Sequence, residues 1–293
     1  MSSLLPEGAL PRIVKRRDPR TLPHLDHILI VLPAAPSRST WDAVPGGEAL
    51  AAAARRRKQT KAGSVFTLHL ETPCPVTIAL AEPKGTPFSW LTLARKAAAE
   101  VRKHRPAKVG IGTAGADAKL AEAWLEAGLA ALLAAEGEMP RFRSKDEPSS
   151  SRLSTITVLD DATGLDFGRL RAEAEGNHLA RWLAALPPNM LHAGAYRGLL
   201  QELADAEGWE MNFLGEKELA KLGAGAFLAV AQANAHREAG IVHLRYRPRA
   251  AAKNAQPVAL VGKGICFDTG GNNLKPFRAM LDMQEDMQGS SVA

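Results

Sequence analysis

Short apolar or β-branched runs alternate with alanine-rich helical stretches through the first half of this chain, and no other feature restricts its fold as much. Ile28 to Leu32, Ser64 to Leu70, Val76 to Ala81 and Lys108 to Ile111 read as strands. Residues 47–58 and 90–104 between them read as helices. Strand and helix in turn imply an α/β layer fold. A longer helix is expected from Ala116 to Glu136, where Leu120, Trp124, Leu125, Leu129, Leu132 and Leu133 recur at helical spacing and form an apolar face for core packing.

A polar stretch, Arg141 to Arg152, and one more strand-like run, Thr155 to Leu159, precede a change in character near residues 162–170. At 293 residues the chain is long enough for two domains. The expected division is an N-terminal α/β domain over 1–164 and a second α/β portion over 165–293. Leu165 to Leu186 reads as a connecting helix that stops before Pro187-Pro188, because proline forbids continuation and excludes its predecessor from the helical region. Beyond it come a helix near 195–207, a strand at Glu210 to Phe213, a short helix at Glu216 to Leu222 and a strand at Ile241 to Tyr246. Val258 to Val261 is a continuous apolar run, the pattern of a central strand buried on both faces.

Composition narrows the class. Hydrophobic residues make up 46% and charged residues 23%, near the globular average, which argues against a disordered polymer. No apolar run reaches the roughly 20 residues of a spanning helix, and the first 20 residues lack the order of an export signal, so a soluble protein without membrane partners is expected. Two cysteines, Cys74 and Cys266, in no metal-binding spacing fit a reducing cytoplasm. The net charge of +6 is partly concentrated in Lys15-Arg16-Arg17 and Arg55-Arg56-Arg57-Lys58, runs that read first as solvated helix faces and second as a surface for nucleic acid.

The chemistry is expected after the run at 258–261, where the chain reads VGKGICFDTGGNNLKP from Val261 to Pro276. Ligands in open α/β sheets bind at the carboxyl ends of strands, and glycines at 262, 264, 270 and 271 let the backbone approach a bound group. Lys263, Asp268 and Lys275 lie in this stretch, and Asp286 follows. On residue types alone, two lysines and two aspartates are compatible with a phosphate loop carrying a magnesium carboxylate, or with a glycine-rich turn bearing surface ion pairs. The P-loop spacing GxxxxGK[ST] is absent.

VGKGICFDTGGNNLKP followed by MLDMQEDMQGSSVA resembles the leucyl (cytosol) aminopeptidase signature, in which Lys, Asp, Lys and Asp occur in this order and at these spacings. The likeness extends back through EGNHLARWLAALPPNML, GEKELAKLGAGAFLAVAQAN and GIVHLRYRP, and so covers about residues 170–293. It implies an α/β metallopeptidase domain holding two divalent ions, manganese or zinc. Lys263 and Asp286 would bind one ion and Asp268 would bridge both. Lysine ligates only as the neutral amine. The ions would activate a water that attacks the first peptide carbonyl. Lys275 would stabilise the developing oxyanion, and Met283 would line the pocket for a Leu-like N-terminal side chain. Peptides are the implied substrates and a homohexamer the implied assembly.

The resemblance is incomplete. The family's second motif, an NTDAEGR-like segment that supplies further ligands and an arginine, does not occur, and Thr269 and Asn272-Asn273 depart from the usual residues. With three protein ligands, the chain alone is expected to hold metal poorly, to show little activity and to expose apolar surface. The competing readings are a noncatalytic DNA-binding or interaction protein of the same family and a remnant of a longer gene. His178, His192, His236 and His243 lack paired ligand spacing, and Cys266 has no activating base in sequence.

Overall fold

Neighbouring residues of the strand His27–Pro33 alternate between two apolar layers, and the first half of the molecule is organised around that alternation. The computed structural model describes residues 4–6, 8–15, 24–70, 74–142, 152–160, 164–248 and 255–293. It divides into two units, one of Gly8–Glu138 and Phe142–His178, the other of Met1–Glu7, Met139–Arg141 and Leu179–Ala293. Residues 161–163, within the expected boundary region, and most of the polar stretch 141–152 lie outside the described residues.

The first unit contains β1 (Arg12–Lys15), β2 (His27–Pro33), β3 (Val65–Leu68), β4 (Val76–Ala81), β5 (Lys108–Thr113) and β6 (Thr155–Val158) in one sheet of order β1-β6-β5-β2-β4-β3. Every pairing is parallel except that of β3 with β4. Leu29 and Val31 face the layer of α3 (Pro87–Arg102) and α4 (Ala118–Glu136), against Leu93, Ala97, Trp124 and Leu129. Ile28, Ile30 and Leu32 face the opposite layer, where α1 (Arg38–Asp42) and α2 (Gly47–Arg56) contribute Trp41 and Leu50. Burial on both faces is why β2 and β4 read as unbroken apolar runs. Thr86 and Asp117 cap α3 and α4 by accepting from the backbone N–H groups of Ser89 and Leu120, and Pro87 opens α3 where its missing N–H costs nothing. The fold is α/β, as the alternation predicts. β1, four residues with charged ends, was not anticipated, since so short a strand carries almost no pattern of its own.

The basic run near residue 55 has a local account. Arg55 and Arg56 sit in the last turn of α2, where cations suit the helix dipole, and Arg57 Nη1 donates to the Thr67 carbonyl at 3.3 Å. Arg16 and Arg17 lie outside the described residues.

The helix α5 (Phe167–Ala185) contributes residues to both units and ends ahead of Pro187-Pro188 as expected. The second unit continues through α6 (Ala193–Glu207), β7 (Glu210–Gly215), α7 (Glu216–Lys221), α8 (Gly225–Ala231) and β8 (Gly240–Arg245), with β7 and β8 forming an antiparallel pair. Its core gathers Leu183, Leu186, Leu191, Tyr196, Leu199 and Met287. The segment Val258 to Val261 is not a strand: it has no regular structure, and Val258 and Val261 are 84% and 96% exposed. A parallel strand buried on both faces needs flanking strands and two covering layers. Among the described residues of this unit, β7 and β8 are the only strands, and neither pairs with it. No described helix is long and apolar enough to cross a membrane.

Candidate active site

The glycine-rich stretch after residue 261 is held by contacts with the end of the chain. A Cβ on Gly262 would lie 2.4 Å from both the Gly289 carbonyl oxygen and Ser290 Cα, and one on Gly289 would lie 2.9 Å from the Lys263 nitrogen. Only glycines allow the two backbones to cross so closely. The Ser290 N–H donates to the Lys263 carbonyl at 2.9 Å. Asp286 belongs to the 3-10 helix Met283–Met287, which lies between α9 (Phe277–Met280) and α10 (Gln288–Val292).

This crossing brings Lys263 Nζ to 2.7 Å from Asp286 Oδ2 and 2.9 Å from Oδ1. A tight turn organises the second pair. The Gly270 N–H donates to Asp268 Oδ1 at 2.8 Å, and Gly270 takes φ 92°, a region that favours glycine. The Lys275 N–H closes the loop onto the Thr269 carbonyl at 2.8 Å. Lys275 Nζ then reaches the Asp268 carbonyl at 2.7 Å, its Oδ2 at 3.3 Å and Met283 Sδ at 3.1 Å. Hydrogen bonding from the Gly270 amide, then from Lys275, holds the Asp268 carboxyl below its ordinary range, and the charge of Lys263 adds to the effect.

The residues singled out from sequence therefore form two ion pairs, Lys263 with Asp286 and Lys275 with Asp268, and Met283 touches the second. Tyr196 and Ser290 were not singled out. Tyr196 Oη lies 3.0 Å from Ser290 Oγ, a relation between residues distant in sequence that no local pattern reveals. Cys266 packs on the core beside Tyr196, and burial pushes its thiol up, away from nucleophile chemistry.

No group of three His, Cys, Asp or Glu side chains able to hold a metal occurs among the described residues. The donor set at hand is two carboxylates and one amine, all within one charge-balanced cluster. It fits part of a divalent-ion sphere: carboxylate oxygens and an amine suit manganese or zinc, and each carboxylate is now offset by a lysine ammonium where a cation would stand.

Residues 178–293 match the model of the cytosol aminopeptidase family, catalytic domain. A probable cytosol aminopeptidase of Caulobacter vibrioides is 42% identical over 123 residues, covering 42% of this chain and 24% of that protein. One from Synechococcus sp. (strain CC9311) is 33% identical over 244 residues, covering 82% of this chain and 48% of that protein. The chain thus spans about half the length, or less, of these curated relatives. Among solved structures, a tomato leucine aminopeptidase variant superposes with a TM-score of 0.77 at 22% identity, covering 99% of this chain and 59% of the other. A bottromycin maturation enzyme in complex with Mn gives 0.62 at 24%, covering 91% and 54%. These structures share the α/β fold. The matched segment, which contains both lysine–aspartate pairs, is similar to the catalytic domain of the cytosol aminopeptidase family.

Proposed function

We propose that the chain is the part of a metal-dependent aminopeptidase that carries the first set of ligands, releasing N-terminal amino acids, Leu-like ones preferred, from peptides. The observation that carries this reading is the convergence of Lys263 on Asp286 and of Lys275 on Asp268 within the matched segment. On it, residues 165–293 form the first portion of the catalytic domain and 1–164 the N-terminal domain.

Lys263 and Asp286 would hold one divalent ion, manganese or zinc, and Asp268 would bridge it to a second; the structural relative in complex with Mn supports the choice of ion. When bound, such ions supply Lewis-acid activation of water and of a carbonyl. Lys263 and Asp286 neutralise each other as ammonium and carboxylate, and as ligands they would serve as the neutral amine and the carboxylate. Asp268 keeps its charge at neutral pH because the Gly270 amide and Lys275 favour the carboxylate. The Lys275 ammonium, held beside Asp268 by the carbonyl it donates to, is the group to meet negative charge growing on a substrate carbonyl oxygen. Met283, buried beside Lys275, would border the pocket for the N-terminal side chain. The whole protein would act in the cytoplasm as a homohexamer on the family's pattern.

Calorimetric titration of manganese or zinc into the metal-free protein, with hydrolysis of leucine p-nitroanilide measured alongside, is the test. Binding that disappears in Asp268→Asn and in Asp286→Asn supports the assignment. Weak binding is expected of three ligands; binding indifferent to both substitutions, or no binding even at millimolar ion, overturns the assignment.

A further inference from the structure

The Lys263–Asp286 pair joins two exposed segments, and its geometry is set by a buried group that belongs to neither. We infer that Tyr196 is a positioning residue, which through Ser290 locks the Lys263 loop onto the turn bearing Asp286. The consequence for ion binding rests on the metal-site reading above; the positioning itself does not.

Tyr196 stands near the start of α6, 6% exposed, in the core that also holds Met287 and packs against Cys266. Two side chains flanking the site are therefore anchored in one place: Cys266 follows Lys263 in the glycine-rich loop, and Met287 follows Asp286. The hydrogen bonds have a single direction. Ser290 Oγ donates its one proton to the Met287 carbonyl at 2.8 Å, so at 3.0 Å it must accept from the Tyr196 hydroxyl. The Ser290 N–H, fixed by the same residue, donates to the Lys263 carbonyl. Tyr196 thus orders Ser290, and Ser290 ties the turn after Asp286 to the backbone of Lys263. Burial raises the Tyr196 pKa, which keeps the hydroxyl a donor across the physiological range. The close crossing of Gly262 over Gly289 leaves little freedom for the two strands of chain to drift while the bridge holds.

The test uses Tyr196→Phe, which removes one oxygen and keeps the ring in the core, with Ser290→Ala as a second variant. In metal-free protein, amide exchange at Ser290, whose N–H is bonded to Lys263, should quicken about fivefold in Tyr196→Phe, the effect of one modest hydrogen bond. Core amides of α6 should be unaffected. Manganese affinity should fall by a similar factor, and the double variant should be no worse than either single one, because both break one chain of bonds. Unchanged exchange at Ser290 accompanied by a general loss of stability would overturn the inference, reducing Tyr196 to a packing residue, as would additive effects in the double variant. If exchange responds but the unsubstituted protein binds no manganese, the positioning stands and the metal reading falls. If manganese binds and exchange does not respond, the reverse holds.

Discussion

Lys263 Nζ stands 2.7 Å from Asp286 Oδ2 although 23 residues of chain separate them. Their side chains are 62% and 34% exposed, so the attraction is screened by water and the pair contributes between zero and about 1 kcal/mol to stability. The value of the contact is in what it brings together. Asp286→Asn should leave the unfolding midpoint nearly unchanged, within about 1 kcal/mol, and abolish divalent-ion binding. Urea unfolding and metal titration on the same sample check both halves; a large loss of stability would show that the pair is structural.

The pair of Lys275 and Asp268 carries a pH signature. A carboxyl held below its ordinary pKa adds stability that is present above the unfolded value and lost as pH falls through the folded one. The Gly270 amide is the larger cause and Lys275 the next. Lys275→Met should therefore raise the Asp268 titration midpoint without restoring it fully, whereas Gly270→Ala should raise it further, because a Cβ there would lie 2.3 Å from the Asn273 carbonyl oxygen and disrupt the turn. Carboxyl-carbon NMR titration of Asp268 ranks the two variants. The opposite order would mean that the lysine, not the turn, controls this group.

Gly262→Ala tests the backbone crossing. The added methyl would meet backbone atoms, which cannot swing aside as a side chain can, so Lys263 must withdraw from Asp286. The expected result is weaker ion binding and faster exchange of the Ser290 amide, with the β7–β8 pair unaltered by circular dichroism. Retention of full ion affinity would sink the idea that this crossing builds the site.

In the first unit, His27 is fully buried at the start of β2, with Nε2 2.7 Å from the Thr77 hydroxyl and Nδ1 unpartnered among the described residues. Burial, then the neighbouring His104 and His69, lower its pKa from 6.5 to about 4, against a smaller opposing pull from Glu100. The folded state therefore binds this proton less readily than the unfolded chain. Stability is unaffected above pH 6.5 and falls as the pH drops from 6.5 towards 4, by about 3 kcal/mol at most. Denaturant unfolding at pH 7.5 and pH 4.5 should show this loss, and His27→Leu should reduce it. An equal acid loss in that variant would assign the effect to other groups.

How far the sequence reveals the molecule depends on where the determining partners lie. β2, β4, α3 and α4 were legible because each carries its own signal, a continuous apolar run in the strands and an alanine-rich or amphipathic stretch in the helices, and each of these two strands has covering layers from the same unit. Lys263, Asp268, Lys275 and Asp286 were legible as an ordered set, and the structure pairs them. The Tyr196–Ser290 bridge was not, since a lone tyrosine on an amphipathic helix reads as core until its partner, 94 residues on, is placed beside it. Val258 to Val261 failed in the other sense: its composition suits a central strand, but composition cannot supply the neighbours that would bury it.

That segment gives the last prediction. Val261 is 96% exposed and makes no strand pairing, so Val261→Lys should change stability by no more than about 0.5 kcal/mol, as for other exposed positions free of special contacts. A valine in a central strand would behave differently, because burying an unpaired ammonium costs several kcal/mol or forces the strand apart. The position is a sensitive one, adjoining Gly262 and hence the Lys263–Asp286 crossing. Thermal unfolding of Val261→Lys, with ion binding measured in parallel, separates the alternatives: an unchanged midpoint with ion binding retained fits an exposed segment, and a loss of 2 kcal/mol or more would mean that in solution this run is covered, with the apolar surface around it closed by another copy or another chain.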